Sequence, residues 1–204
     1  MDKIELTKLL HKNFHHIGKT IFPQNGFKRY KDKFYIRETD DDILQLIEIQ
    51  KHSWDTKFTY NICIFPLFFK SENLYYAFGG IRIGMFKSGK DYWWDYSTES
   101  EINKSLVESL ELINSKVINF FNSINNCDRL LKYLDTKDCL FESYKYRPKD
   151  YDNSIGLLYL KKGDKEMAHK FLNNETINEI KKFGEKTYFK NIVKQNIDIL
   201  KMRR

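Results

Sequence analysis

Residues whose types and spacing could support catalysis are few and stand far apart along the chain. His11 and His15 have the i, i+4 spacing that can chelate one metal ion. Lysines around them oppose a cation, and no His-Glu-x-x-His pattern supplies a third ligand. Cys63, Cys127 and Cys139 are too scattered for a zinc site, and none has a recognisable catalytic context. With no Gly-x-Ser-x-Gly elbow and no phosphate-binding loop, we expect no catalytic residues, no metal and no cofactor.

A second interpretation keeps an enzyme open, because catalytic groups can converge from distant segments without a local motif. Glu48 with Gln50, or Arg82 in an alternating run, could line such a pocket. Whether they meet depends on the sheet that carries them.

All three tryptophans occupy positions close to loops. Trp54 follows a strand that ends in Gln50 and Lys51, and Trp93 and Trp94 precede a long helix. Because tryptophan often anchors protein interfaces, these five residues are a candidate interaction surface. The competing interpretation is that the indoles fill the ends of the sheet against the helices. If they form the surface, replacing Trp93 and Trp94 by alanine abolishes partner binding and leaves the fold intact.

The basic excess of the chain lies near its C-terminus. The formal charge is +7, and residues 145–204 hold 15 basic and 8 acidic side chains, which accounts for all of it. Four lysines recur at four-residue steps and form a lysine stripe: Lys182, Lys186, Lys190 and Lys194. Such a stripe can attract nucleic acid. A simple solvated face is the alternative, since 28 of the 35 basic residues are lysine and phosphate recognition favours arginine.

Apolar periodicity predicts the helices that position these residues. Residues 2–21 carry apolar side chains at three- to five-residue steps, which predicts a helix whose buried face begins with Ile4. Thr98 and Glu101 have capping-box spacing and precede the clearest helix, over residues 99–125. Two further helical segments follow: a hairpin around Gly163 that resembles a single tetratricopeptide repeat, and a last helix over 175–200.

Five short runs rich in aromatic and β-branched residues predict strands: 27–30, 34–38, 43–51, 58–65 and 76–86. The first four are joined by short polar segments that leave no room for crossover helices. We therefore expect an α+β fold. An antiparallel sheet of four to five strands packs against an N-terminal helix and a long central helix, and C-terminal helices follow.

Composition sets the broad class of the protein. Its 204 residues are 41% hydrophobic and 31% charged, which excludes a disordered chain and a membrane protein. No secretory signal is visible, and three cysteines do not make a disulfide framework, so the expected location is the cytoplasm. We predict an α+β core domain over residues 1–138. A basic helical extension over 139–204 packs on it.

Three stretches resemble a known family. NGFKRYKDKFYIRE, ILQLIEIQKHSW and FTYNICIF, followed by paired tryptophans before a long helix, are similar to domain of unknown function 4304. The resemblance covers about residues 5–125, with His52 where the family pattern has Ser and Cys63 where Gly is usual. It implies a bacterial, intracellular α+β domain with no established activity, and so it transfers no catalytic residues.

We expect, on this basis, a non-enzymatic protein-interaction module, an immunity or accessory factor that binds another protein. The alternative is a nucleic-acid-associated protein that binds through the lysine stripe. A membrane partner is not expected, and the oligomeric state stays open. An inhibitor of basic nuclease toxins would be acidic by electrostatic complementarity, whereas this chain is basic, so an immunity role would involve another kind of target.

Overall fold

The N-terminal segment folds as predicted, and its helix begins at a reciprocal cap. A computed structural model describes residues 1–70, 80–136, 139–141 and 148–202. In it, α1 spans Lys3–Gly18. The Asp2 carboxylate accepts the N–H groups of Ile4 and Glu5, and the Glu5 carboxylate accepts the Asp2 N–H. These bonds satisfy backbone donors that have no partner inside the helix, and so they fix where α1 starts.

An antiparallel sheet follows α1, as the short connections require. Its strands are β1 (Lys28–Tyr30), β2 (Phe34–Glu38), β3 (Ile43–Lys51), β4 (Lys57–Pro66) and β5 (Gly80–Arg82), paired in that order. A two-residue strand, β6 (Trp94–Asp95), pairs with the start of β4 and was not predicted. The first four predicted strands are confirmed to within one residue at each end.

The fifth predicted strand, residues 76–86, is wrong over its second half. Only Gly80–Arg82 is strand, Gly84–Ser88 forms the short helix α2, and residues 76–79 lie outside the described residues. A Cβ atom on Gly84 would lie 2.3 Å from the Lys90 carbonyl oxygen and 2.5 Å from the Tyr92 nitrogen. This close approach of two backbone segments needs glycine, and a continuing strand would not make it.

The central helix is confirmed, with one interruption. α3 (Glu99–Leu112) begins at Thr98, whose hydroxyl accepts the Glu101 N–H at 3.1 Å. One widened π-helical stretch, Ile113–Val117, leads into α4 (Ile118–Ser123).

Helices α1 and α3 pack on one face of the sheet, which we call the helix face. Tyr60 of β4 is fully buried there. Its ring lies 5.7 Å from that of Phe14 on α1, and its hydroxyl is 3.0 Å from the Ser109 hydroxyl on α3. Aromatic side chains therefore form the centre of this core.

The chain divides into two compact units. One comprises Met1–Arg37, Gln45–Ile62 and Ile81–Ser123, and the other comprises Glu38–Leu44, Cys63–Gly80 and Ile124–Arg204. The predicted domains, 1–138 and 139–204, stay a prediction. The two units divide the chain in a different way, since each draws on three separate segments.

The second unit contains the C-terminal helices α5 (Cys127–Leu134), α6 (Pro148–Lys162), α7 (Lys165–Phe171), α8 (Asn174–Phe183) and α9 (Glu185–Met202). The predicted hairpin is α6 and α7, which turn at Gly163 with φ +93°. The predicted last helix, 175–200, is wrong as one helix: α8 ends at Gly184, whose φ of +75° separates it from α9. No helix within the described ranges has the length and apolar character needed to cross a membrane.

Candidate functional site

Strand register brings distant polar residues together on the sheet surface opposite the helix face. The His52 N–H donates to the Lys57 carbonyl at 2.7 Å, which sets Glu48 across from Asn61. The Ile83 N–H donates to the Tyr60 carbonyl at 3.0 Å, which sets Arg82 across from Asn61 on its other side. Side chains alternate along a strand, so this surface, which we call the polar face, carries six main residues: Glu48, Gln50, Thr59, Asn61, Arg82 and Trp93.

Asn61 is the centre of the polar face. Its amide nitrogen donates to the Glu48 carboxylate at 2.9 Å and to the Gln50 side-chain oxygen at 2.8 Å. The two hydrogens of the Asn61 amide are thereby used, and the Gln50 amide is oriented with its oxygen toward β4. The structure thus joins Glu48 to Gln50 through Asn61 and sets Arg82 across from Asn61 on the next strand.

Trp93 lies between the side chains of Arg82 and His52. The Arg82 guanidinium lies over the indole, 5.0 Å from its centre, and the His52 ring meets it edge-on at 5.0 Å. The indole N–H donates to the Asp91 carboxylate at 3.0 Å. A guanidinium stacked on an indole is held in one orientation with its N–H groups directed sideways.

Two polar atoms of this face are buried without a hydrogen-bond partner: Arg82 Nη1 and Thr59 Oγ1. Leaving a buried donor unpaired is costly, and more so for a charged group. Thr59 is completely buried and lies across from Gln50. Two polar groups without a hydrogen-bond partner therefore lie on strand positions next to Asn61.

A second feature of this unit is the turn between β3 and β4, residues 52–56, which we call the tip turn. The N–H groups of Trp54 and Asp55 donate to His52 Nδ1 at 3.3 and 3.1 Å, and the Lys3 ammonium donates to the Trp54 carbonyl at 2.9 Å. The turn is thus held by side chains on both sides, yet the Trp54 side chain is 87% exposed.

Trp94 does not belong to an exposed surface, and its assignment to the interaction surface is wrong. It is 3% exposed, stacks on Phe58 and meets the rings of Tyr60 and Tyr92 edge-on. The pairing of β6 with β4 directs Trp94 to the helix face and Trp93 to the polar face. A Trp93, Trp94 double alanine variant would therefore lose core packing as well as the proposed surface, so it does not test binding alone.

Lys51 likewise separates from Gln50, because neighbouring residues of a strand point to opposite faces. Its ammonium donates to the Thr7 hydroxyl of α1 at 3.3 Å, and partial burial together with Lys33 and Lys3 lowers the pKa of Lys51. The predicted surface is thus divided: Gln50 and Trp93 lie on the polar face, Trp54 on the tip turn and Lys51 on the helix face.

The two histidines of α1 have different surroundings. His15 Nδ1 is 3.2 Å from the Tyr35 hydroxyl, and Nε2 is 2.8 Å from the Asp32 carbonyl. His11 Nε2 is buried without a hydrogen-bond partner, and burial, with a smaller contribution from Lys51, lowers the pKa of His11 to about 4. Among the residues that the structure describes, no group of three or more His, Cys, Asp or Glu side chains could hold a metal ion. Cys63, Cys127 and Cys139 are buried thiols.

The lysine stripe is exposed but not continuous. Lys182 lies near the end of α8, and Lys186, Lys190 and Lys194 lie on α9 beyond Gly184. None of the ion pairs found among the described side chains includes these four lysines.

Sequence reasoning missed Thr59, Asn61 and His52 as members or neighbours of the polar face. The signal was present in FTYNIC, where polar and apolar residues alternate. That alternation shows which residues of one strand share a face. Which residues lie beside them on the adjacent strands follows only from the register.

Comparison with known proteins identifies the family and goes no further. No curated protein matches the chain, and neither does any solved structure. The model of the family described as domain of unknown function (DUF4304) matches residues 19–123, which is just over half of the chain. This range runs from the end of α1 through the whole sheet to the end of α4, and so it includes the polar face and the tip turn. The chain belongs to the DUF4304 family.

Proposed function

We propose that this protein is a non-enzymatic protein-interaction module that contacts its partner through the tip turn. The observation that carries the proposal is Trp54, the most exposed of the large hydrophobic side chains that the structure describes. Tryptophan is enriched among the residues that dominate binding energy at protein interfaces. An exposed indole in an ordered turn therefore supports a binding role.

The hydrogen bonds of the tip turn strengthen this proposal. His52 Nδ1 and the Lys3 ammonium fix the backbone on both sides of Trp54, so little conformational entropy remains to be lost when a partner covers the ring. Ile4, which follows Lys3, is 67% exposed, although the sequence pattern predicted it to be buried. A partner with an apolar pocket would fit this surface.

The biological setting belongs to the same proposal. Three buried cysteine thiols are consistent with a reducing compartment, which in a bacterial cell is the cytoplasm. There the protein would act as an immunity or accessory factor. Its net charge of +7 favours an acidic partner over a basic nuclease toxin.

Site-specific photo-crosslinking tests the proposal. A photoreactive phenylalanine analogue replaces Trp54 in one variant and Val107 or Phe183, both exposed and distant in sequence, in matched controls. We expect one discrete protein adduct from position 54 and none of that mass from the controls. The same adduct from all three positions, or no adduct at position 54 in cells that produce the protein normally, would contradict the proposal.

A second candidate function, nucleic-acid binding through the lysine stripe, is favoured by one observation: its four exposed lysines take part in none of the ion pairs found among the described side chains. Lys186, Lys190 and Lys194 are spaced by one helical turn, so they lie along one side of α9.

Salt titration of binding to a duplex DNA probe tests this second candidate. Each neutralised phosphate contributes a slope of about −0.9 to log K against log salt. Replacing the three α9 lysines by glutamine should reduce the slope by about two to three units. Equal slopes for the wild type and the triple variant would exclude the lysine stripe as the nucleic-acid contact.

A further inference from the structure

We infer that the polar face binds a small ligand through a carboxylate that accepts hydrogen bonds from Arg82 next to Trp93, and that a donor group of the same ligand donates a hydrogen bond to Glu48. The α-amino acids are the simplest class with both groups. This site lies on the same unit as the tip turn but does not depend on a protein partner, so it goes beyond the proposed function.

Arg82 supplies the cation of the site. Its Nη1 is buried without a hydrogen-bond partner, and its guanidinium is oriented by the Trp93 ring. Within the described part of the chain, no carboxylate forms an ion pair with Arg82. A planar guanidinium presents paired N–H groups that match the two oxygens of a carboxylate. The energetic cost of an unpaired buried donor is removed when a ligand binds it.

Thr59 is the second, independent observation. Its hydroxyl is completely buried and unpaired, and its strand position is next to that of Asn61 on the same face. A hydroxyl can donate to a carboxylate oxygen, whereas it adds nothing to the packing that a methyl group would not provide. Two unpaired polar groups on neighbouring strands thus point to one occupant.

Nearby carboxylates limit the charge of that occupant. Glu48 accepts from Asn61 with one oxygen, and Asp91 accepts from the Trp93 indole. Both would repel a dianion such as phosphate, while a monoanionic carboxylate bound to Arg82 is tolerated. The second oxygen of Glu48 can accept an ammonium or amide donor. Arg82 and Glu48 are two strand spacings apart, roughly 10 Å between backbones, which leaves room for a small ligand between their side chains.

Nuclear magnetic resonance of the full chain tests the site, with glycine, acetate and inorganic phosphate as probes. The signals to follow are the Arg82 Nε–H and the Trp93 indole N–H. We expect saturable shifts with glycine at concentrations of about 10 mM, weaker saturation with acetate and none with phosphate. No saturable shift with glycine or acetate, or equal affinity for phosphate, would overturn the inference.

Variants separate binding from folding. Arg82→Met and Arg82→Lys should each weaken glycine binding at least about tenfold, since lysine keeps the charge but lacks the planar pair of donors. Arg29→Met is the matched control, because Arg29 is exposed and paired with Asp32 on the same unit. Unchanged glycine affinity in Arg82→Lys, or an equal loss in Arg29→Met, would contradict the assignment.

Two further substitutions assign the individual groups. Glu48→Gln should weaken glycine binding but not acetate binding, because only glycine brings an ammonium group. Thr59→Val removes a hydroxyl that has no partner within the protein, so the variant should unfold at the same denaturant concentration as the wild type, or a higher one, while glycine binding weakens. Unchanged glycine binding in both variants would overturn the two-point arrangement.

Discussion

At the scale of single residues, Trp54 and Trp94 show that one residue type serves opposite purposes. Trp94 is buried against Phe58, whereas Trp54 is almost fully exposed. Trp94→Ala should reduce the free energy of unfolding by about 3–5 kcal/mol, as for other large-to-small core substitutions. Trp54→Ala should change it by less than about 0.5 kcal/mol. Urea unfolding of both variants measures this difference, and equal destabilisation would contradict the assigned positions.

His11 gives a prediction on pH. Its pKa in the folded protein, about 4, is below the ordinary value of 6.5, so the unfolded state binds more protons between these values. The stability of the fold with a neutral His11 is fully present above pH 6.5, and part of it is lost as pH falls toward 4. The urea midpoint should therefore decrease over this window, and His11→Asn should make the decrease smaller.

His16, exposed on the same helix, provides the control for this pH series. His16→Asn should leave the decrease unchanged, and what remains in His11→Asn should come partly from His15, whose pKa burial also lowers. Parallel pH profiles for the wild type and His11→Asn would contradict the assignment.

At the scale of elements, Gly84 positions the segment that carries Trp93 and Trp94. A methyl group there would overlap backbone atoms of residues 90–92, which cannot yield by a simple rotamer change. Gly84→Ala should cost about 1–3 kcal/mol of unfolding free energy and shift the Trp93 indole signal. In Gly89→Ala, where no atom lies within 4 Å but φ is +73°, the cost should be about 1 kcal/mol and the Trp93 signal should stay in place. A larger loss of unfolding free energy in Gly89→Ala than in Gly84→Ala would contradict this role of Gly84.

Periodicity predicted elements well where the pattern is local. The first four strands, α1 and the central helix follow from side-chain spacing and caps, because these depend on neighbours in sequence. Three features could not be predicted this way. β6 is a pairing of two residues with a distant strand, α2 depends on the close approach at Gly84, and Ile4 is exposed although it continues the apolar pattern of α1.

The candidate site could be predicted only in part, for a related reason. Glu48, Gln50 and Arg82 were identifiable as unusual polar residues in strands, and Trp93 as an aromatic residue close to a loop. That Asn61 joins Glu48 to Gln50, and that Arg82 lies over Trp93, follows from register, which pairs residues as far apart as Lys57 and Asp95. The spacing of residues along the chain does not indicate which strand positions pair.

At the scale of the whole molecule, charge and aromatic exposure favour two different kinds of partner. The net charge of +7 comes from the C-terminal 60 residues, which include the lysine stripe, whereas Trp54 lies in the family-matched region. Electrostatic binding weakens steeply with salt, while burial of an indole persists. Salt therefore separates the two modes of association.

The most direct test of the central claim is the amount of partner protein retained by the purified full chain after nuclease treatment and a wash in about 0.5 M salt, where charge interactions are strongly screened. Wild type is compared with Trp54→Ala and with the triple glutamine variant of Lys186, Lys190 and Lys194. We predict a stoichiometric protein retained by the wild type and the lysine variant, and lost in Trp54→Ala. Retention by Trp54→Ala equal to the wild type, or loss of all bound protein on nuclease treatment, would contradict the account.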